Sequence, residues 1–297
     1  MADPMVSVVI PHYGDPGPTR ALCSAVLGQP HDEVIVVDDA SPTQFPAVEG
    51  VTVIRRPVNG GFGATVNTGA RAATGDLMLV LNSDLDIGPT FVADLVAAST
   101  PWQPAVTGPL ILGHDGRHAN SGRHFPTTAH HVTEWLTPLA RFRHHLALHE
   151  AVGHDTRCVP GVTVAVDWLV GAALLIPRAA FLAVGGFDER FHMNSEEVDL
   201  QRRLRQRGIP SVFVGTVTVS HEGGGSSDPS KRREWLVESR FRYAAKWGGE
   251  RRLRASLRAA TAANLAANTV RRVAGNQAVH PVTVAREEWA LTKSGRS

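Results

Sequence analysis

Five apolar residues in a row, Leu77-Met78-Leu79-Val80-Leu81, are followed at once by Asn82, Ser83, Asp84, Leu85 and Asp86. Few folds accommodate that order. The run spends its side chains on a core, so the polar groups after it fall at the C-terminal rim of a sheet, where open α/β folds bind their ligands. Upstream, Asn59-Gly60-Gly61-Phe62-Gly63 reads as a glycine-marked turn, and the segment after Gly63 as a short helix carrying Asn67 and Arg71. Carboxylates at a strand end are costly unless something pairs with them. A hard divalent cation, Mg²⁺ or Mn²⁺, bridging two phosphates fits, because it takes one or two carboxylates and completes its shell with water and phosphate oxygens. A plain turn would draw on the same residue types, since Asn, Ser and Asp are common in turns.

The rest of the N-terminal half repeats the pattern. Residues 6–10 form a β-branched strand closed by Pro11-His12-Tyr13-Gly14, and a helix follows over 19–27. A second buried strand over 33–37 ends in Asp38-Asp39-Ala40-Ser41-Pro42, and a third spans 51–54. Strands separated by helical segments of about ten residues are β-α-β units, hence a mostly parallel sheet with helices on its faces. The two acidic strand ends then converge on one edge. The glycines of 60–63 lack the G-x-G-x-x-G spacing and no Walker A lysine occurs, which argues against a nicotinamide-dependent dehydrogenase and against ATP hydrolysis.

At 297 residues, 43% hydrophobic and 20% charged, the chain has ordinary globular composition and can bury a real core. It contains no apolar run of membrane-spanning length and no secretory leader at its start, so a cytoplasmic location is expected. Cys23 and Cys158 show no C-x-x-C spacing and read as small core residues. The net charge of +2 hides an asymmetry. From Lys231 onward there are 15 Lys and Arg against 5 Asp and Glu, which leaves 15 against 23 before it. This basic C-terminal segment has helical period and suits an anionic membrane surface or a phosphate-bearing substrate, or is simply a solvated face. Nucleic acid is not indicated, since no aromatic-interleaved basic patch accompanies the charge.

Residues 91–98 read as a helix and 105–112 as a strand. Residues 113–161 are weakly patterned and hold nine of the 14 histidines, none at zinc spacing. They read as an acceptor-facing flap, with Trp135 and Phe142 packing it down. A buried strand over 167–176 comes next, then a helix from Arg178, Gly185-Gly186-Phe187-Asp188-Glu189, and a helix with Ser195 as N-cap. Glu196, Glu197 and Asp199 occupy its first turn, where the macrodipole favours acids.

Taken together, residues 6–14, Val37-Asp38-Asp39-Ala40-Ser41, the segment opening at Asn59, and Leu81-Asn82-Ser83-Asp84 resemble the nucleotide-sugar-binding half of family 2 glycosyltransferases of GT-A fold. The later block from Gly171 through Gly185-Gly186-Phe187-Asp188-Glu189 to Asp199-Leu200 resembles that family's acceptor half. His221 before Gly223, Gly224 and Gly225, and the segment 239–248, extend the likeness to its rhamnosyltransferase-like branch. The resemblance implies a GT-A domain over 1–248, divided into a donor half (1–112), an insertion (113–165) and an acceptor half (166–248), followed by a basic helical extension over 249–297.

The same resemblance implies roles. Asp39 contacts the nucleobase beside Pro11, His12 and Tyr13, and Asn67, Arg71, Asn82 and Ser83 complete the donor site. Asp84 ligates the metal, with Asp86 and His221 as further ligand candidates; Asn82 stands where D-x-D is commoner. Glu197 is the catalytic base, with Glu196 the alternative, and Trp168, Gly171 and Asp199 face the acceptor. The implied reaction is inverting transfer of a sugar, rhamnose by subfamily resemblance, from a dTDP- or UDP-linked donor to a glycan or polyprenyl-diphosphate-linked acceptor. Peripheral membrane contact and homo-oligomerisation are further expectations. The competing readings are a nucleotidyltransferase, disfavoured because residues 8–17 hold no Lys or Arg, and a non-catalytic nucleotide-sugar-binding module.

Overall fold

The computed structural model describes residues 4–142, 144–221 and 229–293. In chain order the elements are β1 (Val6–His12), α1 (Pro16–Leu27), β2 (Glu33–Asp38), β3 (Val51–Arg55), α2 (Gly61–Ala72), β4 (Leu77–Leu81), β5 (Leu85–Ile87), α3 (Phe91–Ser99), β6 (Val106–Gly113) and β7 (Gly122–Arg123). There follow α4 (Thr128–Trp135), α5 (Leu146–Ala151), β8 (Thr163–Val166), β9 (Trp168–Leu169), β10 (Ala173–Pro177), α6 (Arg178–Ala183), α7 (Glu196–Arg205) and β11 (Ser211–His221). α8 (Pro229–Trp247), α9 (Glu250–Val273) and α10 (Pro281–Leu291) end the chain. They divide into two compact units: residues 1–124 with 157–227, and residues 125–156 with 228–297.

The first unit is built on a mixed nine-stranded sheet of order β3-β2-β1-β4-β10-β6-β11-β5, with β8 also paired to β11. From β3 to β4 every pairing is parallel, as the β-α-β spacing predicts. Val8, Val9 and Ile10 of β1 and Leu79, Val80 and Leu81 of β4 are fully buried, because helices cover both faces of a parallel sheet. Beyond β4 the sheet changes character. β10 runs antiparallel to β4, with Ala173 opposite Leu81.

Three expectations need correction here. The strand expected over 167–176 is two strands: β9 pairs with β7 in a small separate sheet, and the chain enters the main sheet only at Ala173. The helix expected over 19–27 begins at Pro16, since Asp15 caps it by accepting from the Gly17 amide and proline is pre-organised for the first turn. Ser195 is no side-chain cap. It and Asn194 are both left-handed, at φ of 67° and 68°, a rare conformation for non-glycine residues that turns the chain sharply into α7.

In the second unit, the supposed flap is structured. Trp135 at the end of α4 is buried with Val237, Phe241, Leu253 and Leu257, and its Nε1 donates to Thr261 Oγ1 at 2.9 Å. Asn264 of α9 is buried and joins three segments: its amide nitrogen donates to the Trp135 carbonyl (2.9 Å) and to Glu288 of α10 (3.0 Å), and its oxygen accepts from the Thr137 amide (3.0 Å). Residues 125–156 therefore belong with the C-terminal helices, and the division expected at 248/249 falls elsewhere. No helix among the described residues is long and apolar enough to cross a membrane.

Candidate active site

The donor-side residues stand where β1 and β2 end. Asp38 is buried; burial alone would raise its carboxyl, but hydrogen bonds from Ser41, Phe45 and Arg55 outweigh that and hold it below the usual range. Its role is to shape the turn. Asp39 lies beside the Pro11–Tyr13 turn, its amide donating to the His12 carbonyl at 2.9 Å. Its carboxylate accepts from the amides of Gly60 (3.0 Å) and Gly61 (2.8 Å) and pairs with Arg56, so it satisfies orphan donors at the start of α2. Gly61 has a φ of 83°, and a Cβ there would lie 2.1 Å from the His192 carbonyl oxygen, which leaves no other residue possible.

Within the same turn, His12 is buried with its Nδ1 2.7 Å from Thr19 Oγ1 and its ring 4.7 Å from Phe45. Burial lowers its pKa, so the ring is neutral at pH 7. Tyr13, 46% exposed, is the member of the turn whose ring is open to a ligand.

At the end of β4 two distant residues meet. His221 at the end of β11 pairs in register with Leu85, and its Nε2 lies 3.0 Å from Asp84 Oδ1 and 3.5 Å from Asn82 Nδ2. Both side chains are open to solvent, at 23% for His221 and 30% for Asp84. Two ligands about 2.1 Å from an octahedral cation stand roughly 3 Å apart, so this spacing fits a shared ion. One carboxylate oxygen and one imidazole nitrogen suit Mn²⁺, and Mg²⁺ with added oxygen ligands. Ser83 is half-buried beside them. Asp86 occupies the exposed face of β5 between buried Leu85 and Ile87, away from this pair. The glycine-rich residues after His221 lie outside the described residues.

The acid pair opens α7. Glu196 is buried, near Gly63 and Phe187, whereas Glu197 packs on Gly171, whose Cβ position would be 3.4 Å from Glu197 Cβ. Each has one buried carboxylate oxygen without a hydrogen-bond partner. Burial raises both pKa values; the neighbouring Glu197 charge pushes Glu196 further up, well above the carboxylate range. Opposing burial at Glu197 are backbone amides, including those of Gly171 and Ser195, and the charge of Arg123. A carboxylate whose proton affinity is raised by burial is better suited to accept a proton than a solvated one.

The support behind Glu197 is explicit. Gln201, one turn on, donates to the Leu169 carbonyl and accepts from the Leu169 amide, both at 2.8 Å, which ties α7 to β9. Trp168 of β9 pairs with Arg123 of β7, whose guanidinium lies over the indole, 5.6 Å from its centroid. Trp168 Nε1 donates to the His124 carbonyl at 2.9 Å. Arg123 is a residue that sequence reasoning missed. It sits in a two-residue strand inside the histidine-rich stretch, where no periodicity marks it.

Other expected members take structural parts. Asn67 is buried and its amide is spent on the Phe187 backbone, accepting from the amide at 2.8 Å and donating to the carbonyl at 2.9 Å. Arg71 is exposed at the far end of α2, about 15 Å of helix from Gly61, where a cation complements the helix C-terminus. Asp199 is buried in an ion pair with Arg203 at 2.9 Å.

A mixed sheet of this order, flanked by helices and with acids at its rim, has the architecture of the GT-A fold. The crystal structure of GalNAc-T7 with UDP, GalNAc and Mn²⁺ superposes with a TM-score of 0.58 at 17% identity, over 82% of this chain and 48% of that one, a likeness of fold. The sequence profile of glycosyl transferase family 2 matches residues 7–157. An N-acetylglucosaminyl-diphospho-decaprenol L-rhamnosyltransferase of Mycobacterium tuberculosis is 31% identical over 254 residues, covering 77% of this chain and 80% of that protein. The rhamnosyltransferase WbbL of Escherichia coli K12 is 28% identical, over 59% of this chain and 64% of its own. The chain belongs to glycosyl transferase family 2 and is a glycosyltransferase.

Proposed function

We propose that the protein is an inverting, metal-dependent transferase that moves a sugar, rhamnose in the first instance, from a dTDP- or UDP-linked donor to a hydroxyl of a glycan or polyprenyl-diphosphate-linked acceptor. The observation that carries the reading is the half-buried Glu197, with one carboxylate oxygen enclosed and unpartnered, packed against the turn that borders the Asp84 strand end. Rhamnose and a lipid-linked acceptor are supported by the activity in the mycobacterial relative's name.

In this reading Tyr13 and the backbone around Asp39 border the nucleobase. Asp84 and His221 would hold the cation, which would supply positive charge against the negative charge that builds on the departing diphosphate. The acceptor hydroxyl attacks the anomeric carbon on the face opposite the diphosphate. As the new C–O bond forms and the old one breaks, the hydroxyl proton passes to Glu197. The Arg123 charge opposes the rise that burial imposes on the Glu197 pKa, and Gly171, with no side chain, leaves room for Glu197 to pack against its backbone. A single displacement needs no covalent enzyme intermediate, and positioning the two substrates supplies much of the acceleration.

The test is transfer from dTDP-rhamnose to an N-acetylglucosaminyl-diphospho-polyprenol in the presence of Mn²⁺, with the product's anomeric configuration read by NMR. Inverted product lost on chelation is expected. Retained configuration, or transfer undiminished by chelator, contradicts the mechanism.

A further inference from the structure

The inner face of α10 is anchored, for Glu288 is buried and accepts from Asn264. Its outer face has a different composition. Val282, Ala285, Arg286, Trp289 and Lys293 recur at three- and four-residue spacing, and with Leu265 of α9 they line a groove of about 350 Å³. Val282 is 57% exposed and Trp289 42%, large values for side chains with so much apolar surface. Arg258 holds its guanidinium over the Trp289 ring, 5.2 Å from the centroid, so a third cation borders the same stripe. Glu287, an exposed acid of α10, lies five residues from Val282 and therefore about 140° round the helix, off this face.

Apolar residues, a tryptophan and flanking cations on one side of a helix are the composition of segments that lie in a membrane interface, where the ring sits at headgroup level and Lys and Arg meet lipid phosphates. The charge of the whole segment agrees, at 15 Lys and Arg against 5 Asp and Glu from Lys231 onward. Since no described helix is long and apolar enough to cross a bilayer, the contact is with its surface. We propose that the α9–α10 face docks the protein on a bilayer rich in anionic phospholipid, with Val282 and Trp289 entering the acyl boundary and Arg286 and Lys293 against the phosphates. The inference is independent of which sugar is transferred, and of whether Glu197 is the base.

The experiment is flotation of the full chain with phosphatidylcholine vesicles, with and without phosphatidylglycerol, at low and high salt. Binding is expected only to the anionic vesicles and is expected to fall with salt, as charges beyond a Debye length are screened. Charge reversal by Arg286→Glu with Lys293→Glu is expected to lower partitioning at least about tenfold, given the contribution of each basic residue near such a surface. Val282→Asp, a surface change that leaves the inner face of α10 intact, is expected to lower it as well. Donor hydrolysis and melting temperature should not change in either variant, so loss of binding is not loss of fold. Wild-type protein that ignores anionic vesicles at low salt, or variants that float as well as wild type, would overturn the proposal. So would sedimentation showing a dimer that the charge reversal dissociates without any vesicle binding, because the face then belongs to a second copy of the chain.

Discussion

The amide of Asn82 donates to the carbonyl of Ala172 at 2.8 Å, so the strand end that leads to Asp84 is tied to the turn that backs Glu197. Gly171, one residue before that carbonyl, faces Glu197 so closely that a Cβ added to it would stand 3.4 Å from Glu197 Cβ. The proposed metal side and the proposed base therefore share one short stretch of rigid backbone. The pairing of Ala173 with Leu81 sets the register of the two turns that carry Gly171 and Asp84.

Asp84→Ala should remove Mn²⁺-dependent binding of a nucleoside diphosphate, with affinity falling by at least about 10–100-fold. His221→Ala should weaken it too, whereas Asp86→Ala, on the exposed face of β5, should leave it nearly intact. Calorimetric titration with and without Mn²⁺ distinguishes the three. Equal binding in all of them would remove the Asp84–His221 pair as ligands.

Glu196 supplies a prediction about stability and pH. Its folded pKa is raised by burial and by Glu197, while the unfolded value is about 4.3. Between those two values the folded state binds the extra proton, so this group's contribution to stability is complete below pH of about 4.3 and is lost as pH rises through the folded value. Glu196→Gln should thus melt progressively higher than wild type above that pH, and the difference should vanish in acid. A melting difference independent of pH would contradict the raised affinity.

Arg123 acts through Glu197. Replacing it with Met removes a cation that lowers the Glu197 pKa, so the acid limb of the kcat/KM profile should move to higher pH, and Arg123→Lys should restore most of it. Donor KM should stay near wild type in both. An acid limb that does not move with Arg123→Met would confine Arg123 to packing on Trp168.

Asn67→Ala leaves the Phe187 amide and carbonyl without their buried partner, at a cost of about 1–3 kcal/mol. Denaturant unfolding should register that loss, while donor affinity should be unchanged. A large rise in donor KM without loss of stability would return Asn67 to the donor site.

What could be read in the sequence was what short-range pattern encodes. β4 was visible to the residue because a strand buried on both faces must be a continuous apolar run, and the acids after it had to fall at a rim. The break at Val170-Gly171-Ala172 was not visible, since residues 168–176 are apolar throughout and only the partners differ: Arg123 for Trp168, Leu81 for Ala173. Asn67 and Phe187 are 120 positions apart, and Trp135 and Thr261 are 126, so neither the structural use of Asn67 nor the merging of 125–156 with the C-terminal helices left a local trace. Asp84 and His221 are 137 apart and were linked in advance only by resemblance to a family.

The most direct test of the account is Glu197→Gln, assayed for sugar transfer and melting temperature together with Glu196→Gln. The amide keeps the size and contacts of the side chain but cannot take a proton, so transfer should fall by roughly 10²–10⁴-fold, with donor affinity kept and melting temperature unchanged or raised. Near-normal transfer by Glu197→Gln, or a dead Glu196→Gln beside an active Glu197→Gln, would contradict the assignment of Glu197 as the base.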